Sequence, residues 1–371
     1  MKVSIITFHA ADNCGSHLQA YALQQVLKSE LNIDSEIIDY SNQNQRELYS
    51  LYLPFKSLKY CIINLYRSVF FFLIRRYKKS FQDFSRTYLT LTEQHYSLKE
   101  ELKSLDGKFD IYITGSDQVW NTKAYDYDDS YFLDFVTCGK KIAYAPSLGA
   151  TNIVESKESR RKISDFLSTF TAVSVRERNG KEVLKSVCSM DIPILLDPTL
   201  LLNREDWHSL IGERIIKKKY IFYYAFSYRK EANSIVKEIS KRYGLPVYIV
   251  DAYAWALRRN FLEGFHLSPQ FGPKAFLNLI YYSELVLTTS FHGTALSVAL
   301  GKKFWYLETS MHNKNDDRAE SLLNQLGIKD RIRDASYLLN NDCFADVKCQ
   351  DEKMFQTCKN KSLEFLKKYV Q

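Results

Sequence analysis

Four stretches of the 371-residue chain gather residue types that can hold or transfer a charged group. In ELVLTTSFHGTAL, residues 284–296, a β-type run ends at Thr289, Ser290 to Gly293 form a turn, and a helix is expected from about Thr294. Backbone N–H groups and the positive end of the helix dipole then point the same way, which suits an anion. Ser290 and Thr294 add hydroxyls, Gly293 allows close backbone approach, and His292 is the side chain there that trades a proton near neutral pH. The plainer alternative is a helix cap beside a histidine satisfied within the fold.

The second stretch, SVRER at 174–178, ends a strand with Arg176, whose planar fork can clasp a carboxylate or phosphate in bidentate fashion. Glu177 and Arg178 could instead pair on the first turn of the next helix. Arg318, in NDDRAESLL, follows the same logic as Arg176, against the ordinary fate of a helical arginine that only solvates its face. Third comes GSDQVWN, residues 115–121. Ser116, Asp117 and Gln118 can hydrogen-bond a sugar and Trp120 can stack on it, unless the motif is a tight turn with Trp120 in the core. Fourth, Asn13, Gly15 and Ser16 occupy the first strand-to-helix loop, where a plain helix cap is the competing reading. Asp126-Tyr127-Asp128 could serve a metal-dependent glycosyltransferase, though a solvated acidic loop explains it more simply.

The elements that must position these residues alternate. Apolar β-rich runs at 2–8, 35–40, 110–114, 141–145, 171–175 and 192–196 are separated by stretches of helical periodicity, and the order repeats with strands expected at 220–226, 246–250, 285–289 and 303–307. Helices are expected near 229–243, 273–282 and 294–300, and a last one over 354–369 could cross back onto the first half. Short strands between helices build parallel sheets covered on both faces. The expected fold is therefore α/β, with two Rossmann-like domains facing across a cleft. Residues 1–205 form the first, 206–335 the second, and 336–371 a tail with a helix. Ligands of such sheets bind beyond the strand carboxyl ends, so the cleft is the expected site, with no metal ligand set in it.

Composition narrows the class. Hydrophobic residues make up 46% and charged residues 25%, as in soluble globular proteins, which excludes a disordered chain or a bundle of membrane helices. Fifty-one basic against 43 acidic residues leave +8, too diffuse for a nucleic-acid partner. Seven scattered Cys without a CxxC pair favour a reduced cytoplasmic setting, and Cys343, Cys349 and Cys358 are spaced unlike a zinc site. The N-terminus reads as a buried strand, not a signal peptide. Positive charge concentrates between Lys56 and Lys79, within a helical insertion at 51–86. There Leu58, Ile62, Leu65, Val69 and Leu73 recur at helical spacing among Lys59, Arg67, Arg75, Arg76 and Lys78. The uncharged stretch from 68 to 74 is too short for the roughly 20 residues of a membrane span. Packing of that stripe on the core is the simpler expectation. Peripheral contact with an anionic membrane beside a lipid-linked substrate is the functional one. The signatures GxGxxG, GxxxxGK[ST], GxSxG and HExxH are absent, which sets aside nicotinamide, P-loop, α/β-hydrolase and zincin chemistry.

Taken in order, NCGSHLQAYALQQVL, FDIYITGSDQVWN, KKIAYAPSLGA, VSVRERNG, LLDPTLLL, GPKAFLNLIYYSELVLTTSFHGTALSVALGKKF and RAESLLNQLGI resemble the polysaccharide pyruvyl transferase family. Members are similar in fold to the twin-domain GT-B glycosyltransferases. The resemblance implies transfer of the pyruvyl group of phosphoenolpyruvate onto two hydroxyls of one sugar in a bacterial surface polysaccharide, giving a cyclic ketal and phosphate. No cofactor is implied beyond that donor. It places His292 as acid and base, with Arg176, Ser290, Gly293, Thr294 and Arg318 around the donor. By position, Asn13, Gly15, Ser16, Ser116, Asp117, Gln118 and Trp120 would face an acceptor sugar, carried on lipid at the inner membrane face. Members often show Arg-Leu-His where this chain has Ser290-Phe291-His292. Arg176, Arg178, Arg318 or Lys302 must then replace the missing guanidinium, or the donor is not phosphoenolpyruvate. The rival readings are a glycosyltransferase using a nucleotide sugar and a sugar-binding protein without catalysis.

Overall fold

Two parallel sheets organise the chain, each made of short runs rich in β-branched and aromatic residues. The computed structural model describes residues 1–55, 57–310, 316–345 and 351–371; Lys56 and Cys349 lie outside the described residues. The first sheet contains β1 (Val3–Ile6), β2 (Ser35–Ile37), β3 (Ile111–Thr114), β4 (Lys140–Ala143) and β5 (Ala172–Val173), in the order β2-β1-β3-β4-β5. The second contains β6 (Ile221–Tyr224), β7 (Val247–Ile249), β8 (His266–Leu267), β9 (Leu285–Thr288), β10 (Phe304–Leu307) and β11 (Ile332–Arg333), in the order β11-β10-β9-β6-β7-β8. Val3 aligns with Ile111 and Ile221 with Leu285, in parallel register. Strand order reverses between β1 and β3, and again between β6 and β9. Loops diverge at such switch points and open a crevice beyond the carboxyl ends.

The helices are α1 (Cys14–Leu31), α2 (Gln43–Leu48), α3 (Leu58–Val69), α4 (Phe71–Tyr88), α5 (Lys157–Ser168), α6 (Arg178–Lys185), α7 (Arg204–Ile211), α8 (Lys230–Tyr243), α9 (Ala252–Ala256), α10 (Gly272–Tyr282), α11 (Phe291–Ala299), α12 (Arg318–Gln325), α13 (Ala335–Asn340) and α14 (Glu352–Val370). One apolar core runs through both halves. It joins Leu18, Tyr21 and Leu23 of α1 to Phe81 and Phe84 of α4, Trp207 of α7 and Leu277 of α10. Burial of this size makes the seam between the sheets a packed interface. α14 returns to the first half, where its Ser362 Oγ accepts the Leu196 N–H at 3.0 Å and Lys359 Nζ donates to Asn203 Oδ1 at 2.6 Å.

Three expectations need correction. Residues 192–196 form no strand, because Pro193 has no N–H for a ladder, and one bridge between Val175 and Ile194 is all that pairs them. β8 and β11, two residues each, were too short to read from periodicity. The basic helix of the insertion is two helices that meet at Phe70, and its stripe does not pack on the core. Leu58, Ile62, Leu65 and Val69 are exposed, while Leu73 packs against the core from α4. What anchors α3 is its polar side: buried Asn64 bonds Leu53 N and O at 2.8 Å each, and Tyr66 Oη donates to Ala256 O at 3.0 Å.

Candidate active site between the two sheets

Loops from both switch points meet in a cavity of ≈ 560 Å³. Phe226 to Arg229 follow β6, Thr289 follows β9, Thr309 follows β10, and Arg318 opens α12. From the first half come Gln118, Asn121 and Lys123 after β3, with Thr151 after β4. Three cations, Lys123, Arg229 and Arg318, line this space against one carboxylate, Asp316. Arg318 spends its Nε and Nη2 on Asp316 Oδ1 and Oδ2, at 2.6 Å each. Such a bidentate pair fixes the guanidinium plane. Arg229 is exposed, with Nε 3.1 Å from Ser227 Oγ. Lys123 Nζ meets Glu155 Oε1 at 3.3 Å, so the cavity is polar, with cations in excess among its described lining residues, and α11 starts at its edge.

Ser290 is the N-cap of α11, and its hydroxyl accepts the Gly293 N–H at 3.5 Å. The helix starts at Phe291, three residues before the expected point, so His292 lies in its first turn. Thr294 Oγ1 donates to Ser290 O at 3.0 Å, which turns that hydroxyl into the helix and away from any donor. A Cβ on Gly293 would lie 2.3 Å from Thr288 Oγ1, so this glycine serves the approach of α11 to β9 and not that of a ligand.

Behind the cavity lies a sealed cluster of charge. Asp197, fully buried, is its hub. Arg176 Nη1 donates to Asp197 Oδ2 at 2.7 Å, Ser116 Oγ donates to the same oxygen at 3.2 Å, and Thr199 supplies N–H and hydroxyl to Oδ1 at 3.0 and 2.7 Å. His292 Nε2 stands 3.6 Å from Asp197 Oδ2, within ion-pair reach. Burial raises the Asp197 carboxyl, but His292 and Arg176 outweigh it and hold the group well below the usual carboxylate range. Asp117 Oδ2 accepts Ser16 Oγ at 2.6 Å, and Arg176 Nη2 lies 3.8 Å from Asp117 Oδ1. The Arg176 guanidinium also rests 4.0 Å over the Phe291 ring. Glu177 Oε2 is 4.0 Å from Arg176 Nε, and burial pushes the Glu177 carboxyl up to about 7 despite Arg176 and the Leu148 N–H.

The sequence-selected residues therefore separate into groups. Arg318 and Gln118 line the cavity. Arg176, Ser116, Asp117, Ser16 and His292 meet in the buried cluster. Gly15 joins them, because a Cβ there would lie 2.2 Å from His292 Nδ1, and only a glycine lets the imidazole pack on α1. Asn13 caps α1 by accepting the Gly15 and Ser16 N–H groups at 2.8 and 3.2 Å. Two expectations fall. Arg176 does not aim its fork into open cleft, since its guanidinium is 1% exposed and committed to carboxylates of the protein. Trp120 cannot stack on a sugar: its ring is in the core, stacked on Phe132 with Nε1 donating to Tyr131 O at 2.9 Å. Arg178 pairs with Glu182 at 2.8 Å, away from Glu177.

Sequence reading missed Asp197, Arg229 and Lys123, and took Asn121 only as the last residue of GSDQVWN. Asp197-Pro198 after an apolar run was the available signal for the hub; Arg229 shows none, because it lies in an ordinary loop. It also missed a second cavity, ≈ 550 Å³, beyond β1 and β2. There Asp39 Oδ1 sits 3.1 Å from both His9 Nε2 and His95 Nδ1, and the buried Gln45 amide finds no protein partner. α4 forms its other wall with Lys78, Gln82 and Arg86.

Comparison with known proteins agrees with this architecture. The family model described as polysaccharide pyruvyl transferase matches residues 13–311, and the chain belongs to that family. No curated protein matches it by sequence. Among solved structures, the S. aureus MnaA-UDP co-structure is 8% identical with a TM-score of 0.52, and the match covers 100% of this chain and 98% of that one. A UDP-GlcNAc 2-epimerase from Methanocaldococcus jannaschii is 13% identical with a TM-score of 0.49, covering 99% and 100%. The E. coli heptosyltransferase WaaC with ADP is 8% identical with a TM-score of 0.41, covering 89% and 99%. Identity this low speaks to the fold alone. That fold is two Rossmann-like halves facing across a cleft, as in GT-B enzymes.

Proposed function

We propose that this member of the polysaccharide pyruvyl transferase family takes phosphoenolpyruvate as donor, in the cavity between Arg229 and Arg318, and transfers its pyruvyl group to two hydroxyls of one sugar. The observation that carries the reading is the grouping of Lys123, from the first half, with Arg229 and Arg318, from the second, around one cavity beside the start of α11. A donor with both phosphate and carboxylate calls for several fixed cations near a helix N-terminus. Arg318 and Arg229 take the place of the guanidinium absent from Ser290-Phe291-His292. Gln118 and Asn121, on the opposite wall, face the acceptor sugar, which is carried on a lipid at the inner membrane face.

The chemistry balances with two sugar hydroxyls. A proton adds to the methylene carbon of the enol, and the cationic carbon so formed takes the first hydroxyl oxygen, whose proton goes to the base. The C–O bond to phosphate then breaks, the second hydroxyl oxygen closes the ketal, and its proton leaves with inorganic phosphate. His292 gives and regains the first proton, and Asp197 holds its imidazole and stabilises the charged ring. Because His292 Nε2 is buried against Asp197 here, turnover requires a local movement that opens the imidazole to the donor.

Enzyme mixed with phosphoenolpyruvate and galactose-type or mannosamine-type acceptors should release phosphate only when an acceptor is present. His292→Ala should lower that rate by roughly 100-fold or more while still folding, as judged by circular dichroism and a cooperative melt. Stabilisation by a nucleotide sugar, none by phosphoenolpyruvate, and no phosphate release would instead favour glycosyl transfer. Full turnover by His292→Ala would remove this histidine from the mechanism.

A further inference from the structure

The outer face of α3 has no partner among the described residues. Leu58, Ile62, Leu65 and Val69 recur three or four apart, so they share one narrow stripe, and they are between 61% and 77% exposed. Phe55 and Phe72 extend the stripe at 79% and 83% exposure. Contiguous apolar surface of this kind marks a contact site. The helix is held rigidly from behind by Asn64 and Tyr66, so the stripe is presented and not merely loose.

Charge decides between partners. Residues 48–82 carry Lys56, Lys59, Arg67, Arg75, Arg76, Lys78 and Lys79 and no Asp or Glu, seven positive charges in a chain whose whole net charge is +8. Lys59, Arg75, Arg76 and Lys79 are exposed around the stripe. Two copies of this face would repel one another, whereas an anionic surface with an apolar interior answers both features. No described helix is long and apolar enough to cross a membrane, so the contact is interfacial.

We propose that α3 and the first turns of α4 dock this protein on an anionic lipid surface. α3 lies in the interfacial plane with its stripe among the acyl chains, and Lys59, Arg75, Arg76 and Lys79 meet the headgroups. The other side of α4 walls the second cavity, so the docked surface adjoins that cavity. The purpose of docking rests on the reading of a lipid-carried acceptor. Its test uses neither donor nor acceptor, so each can fail without the other.

The full chain is sedimented with vesicles of phosphatidylcholine alone or mixed with phosphatidylglycerol, at low and high salt. Binding to the mixed vesicles should exceed binding to the neutral ones and weaken as salt rises. Serine at Leu58, Ile62, Leu65 and Val69 together should lower it roughly tenfold or more with an unchanged melting temperature; Ile62→Ser with Leu65→Ser serves if the fourfold variant fails to fold. Gln at Lys59, Arg75 and Lys79 should weaken binding and flatten its salt dependence. Absence of binding to mixed vesicles overturns the proposal, and so does a serine variant that binds like the parent. A parent that dimerises through the stripe in light scattering and ignores vesicles overturns it as well.

Discussion

Arg176 and Arg318 sit at the same crevice and meet opposite surroundings. Arg176 is enclosed with Asp197, Asp117 and Glu177, and a ring covers its face. Arg318 is also paired, with Asp316, but its side chain keeps 17% exposure on the wall of an open cavity that Arg229 and Lys123 share. A charge withdrawn from water must find its partners inside the protein, or its burial costs more than the fold can bear. A charge on a cavity wall keeps part of its field for a ligand. The sealed cluster thus holds the halves in register and orients His292, while the cavity carries the binding.

That contrast can be broken from either side. The largest effect is expected at the hub. Asp197→Ala leaves Arg176 buried without its main partner and should destabilise the protein by about 3 to 5 kcal/mol in denaturant titration. A loss below about 1 kcal/mol would mean that the cluster is not structural. On the cavity side, Arg229→Ala should leave the melting temperature nearly unchanged and raise the phosphoenolpyruvate KM roughly 10- to 100-fold, the worth of one or two charge-assisted hydrogen bonds. An unaltered KM with reduced stability would invert the assignment of the two regions. The smallest effect is at Glu177. Its carboxyl is raised from the ordinary 4.5 to about 7, so the folded chain keeps a proton that the unfolded chain releases in that window. Stability from this group is complete below the unfolded value and is lost as pH rises through about 7, at roughly 1.4 kcal/mol per pH unit at most. Glu177→Gln should flatten that part of a melting-temperature profile, and equal slopes in parent and variant would refute the burial of an acid there.

The alternation of β runs and helices was legible, because each element is set by local periodicity: β1, β3, β6, β9 and β10 fall within the expected runs, and α8 and α10 start within one residue of the expected points. The turn from β9 into α11 was legible in kind for the same reason, since Ser290 caps through its own neighbours. The failures have two causes. Trp120 in a polar motif and the outward stripe of α3 depend on which distant elements pack around them, whereas Pro193 in a β-type run carried its own local signal, the missing N–H.

The sequence alone therefore determined the two-sheet α/β plan, the family and the strand–turn–helix order around His292, since local hydrogen bonds and the spacing of apolar residues need no distant partner. Tertiary structure decided that Arg176 closes on Asp197, that Gly15 receives the His292 ring across the seam, that Arg229 joins Arg318 in one cavity, and that α3 shows its apolar side to solvent. Periodicity specifies which face of an element is apolar or charged; only the packing of the other elements specifies what that face meets.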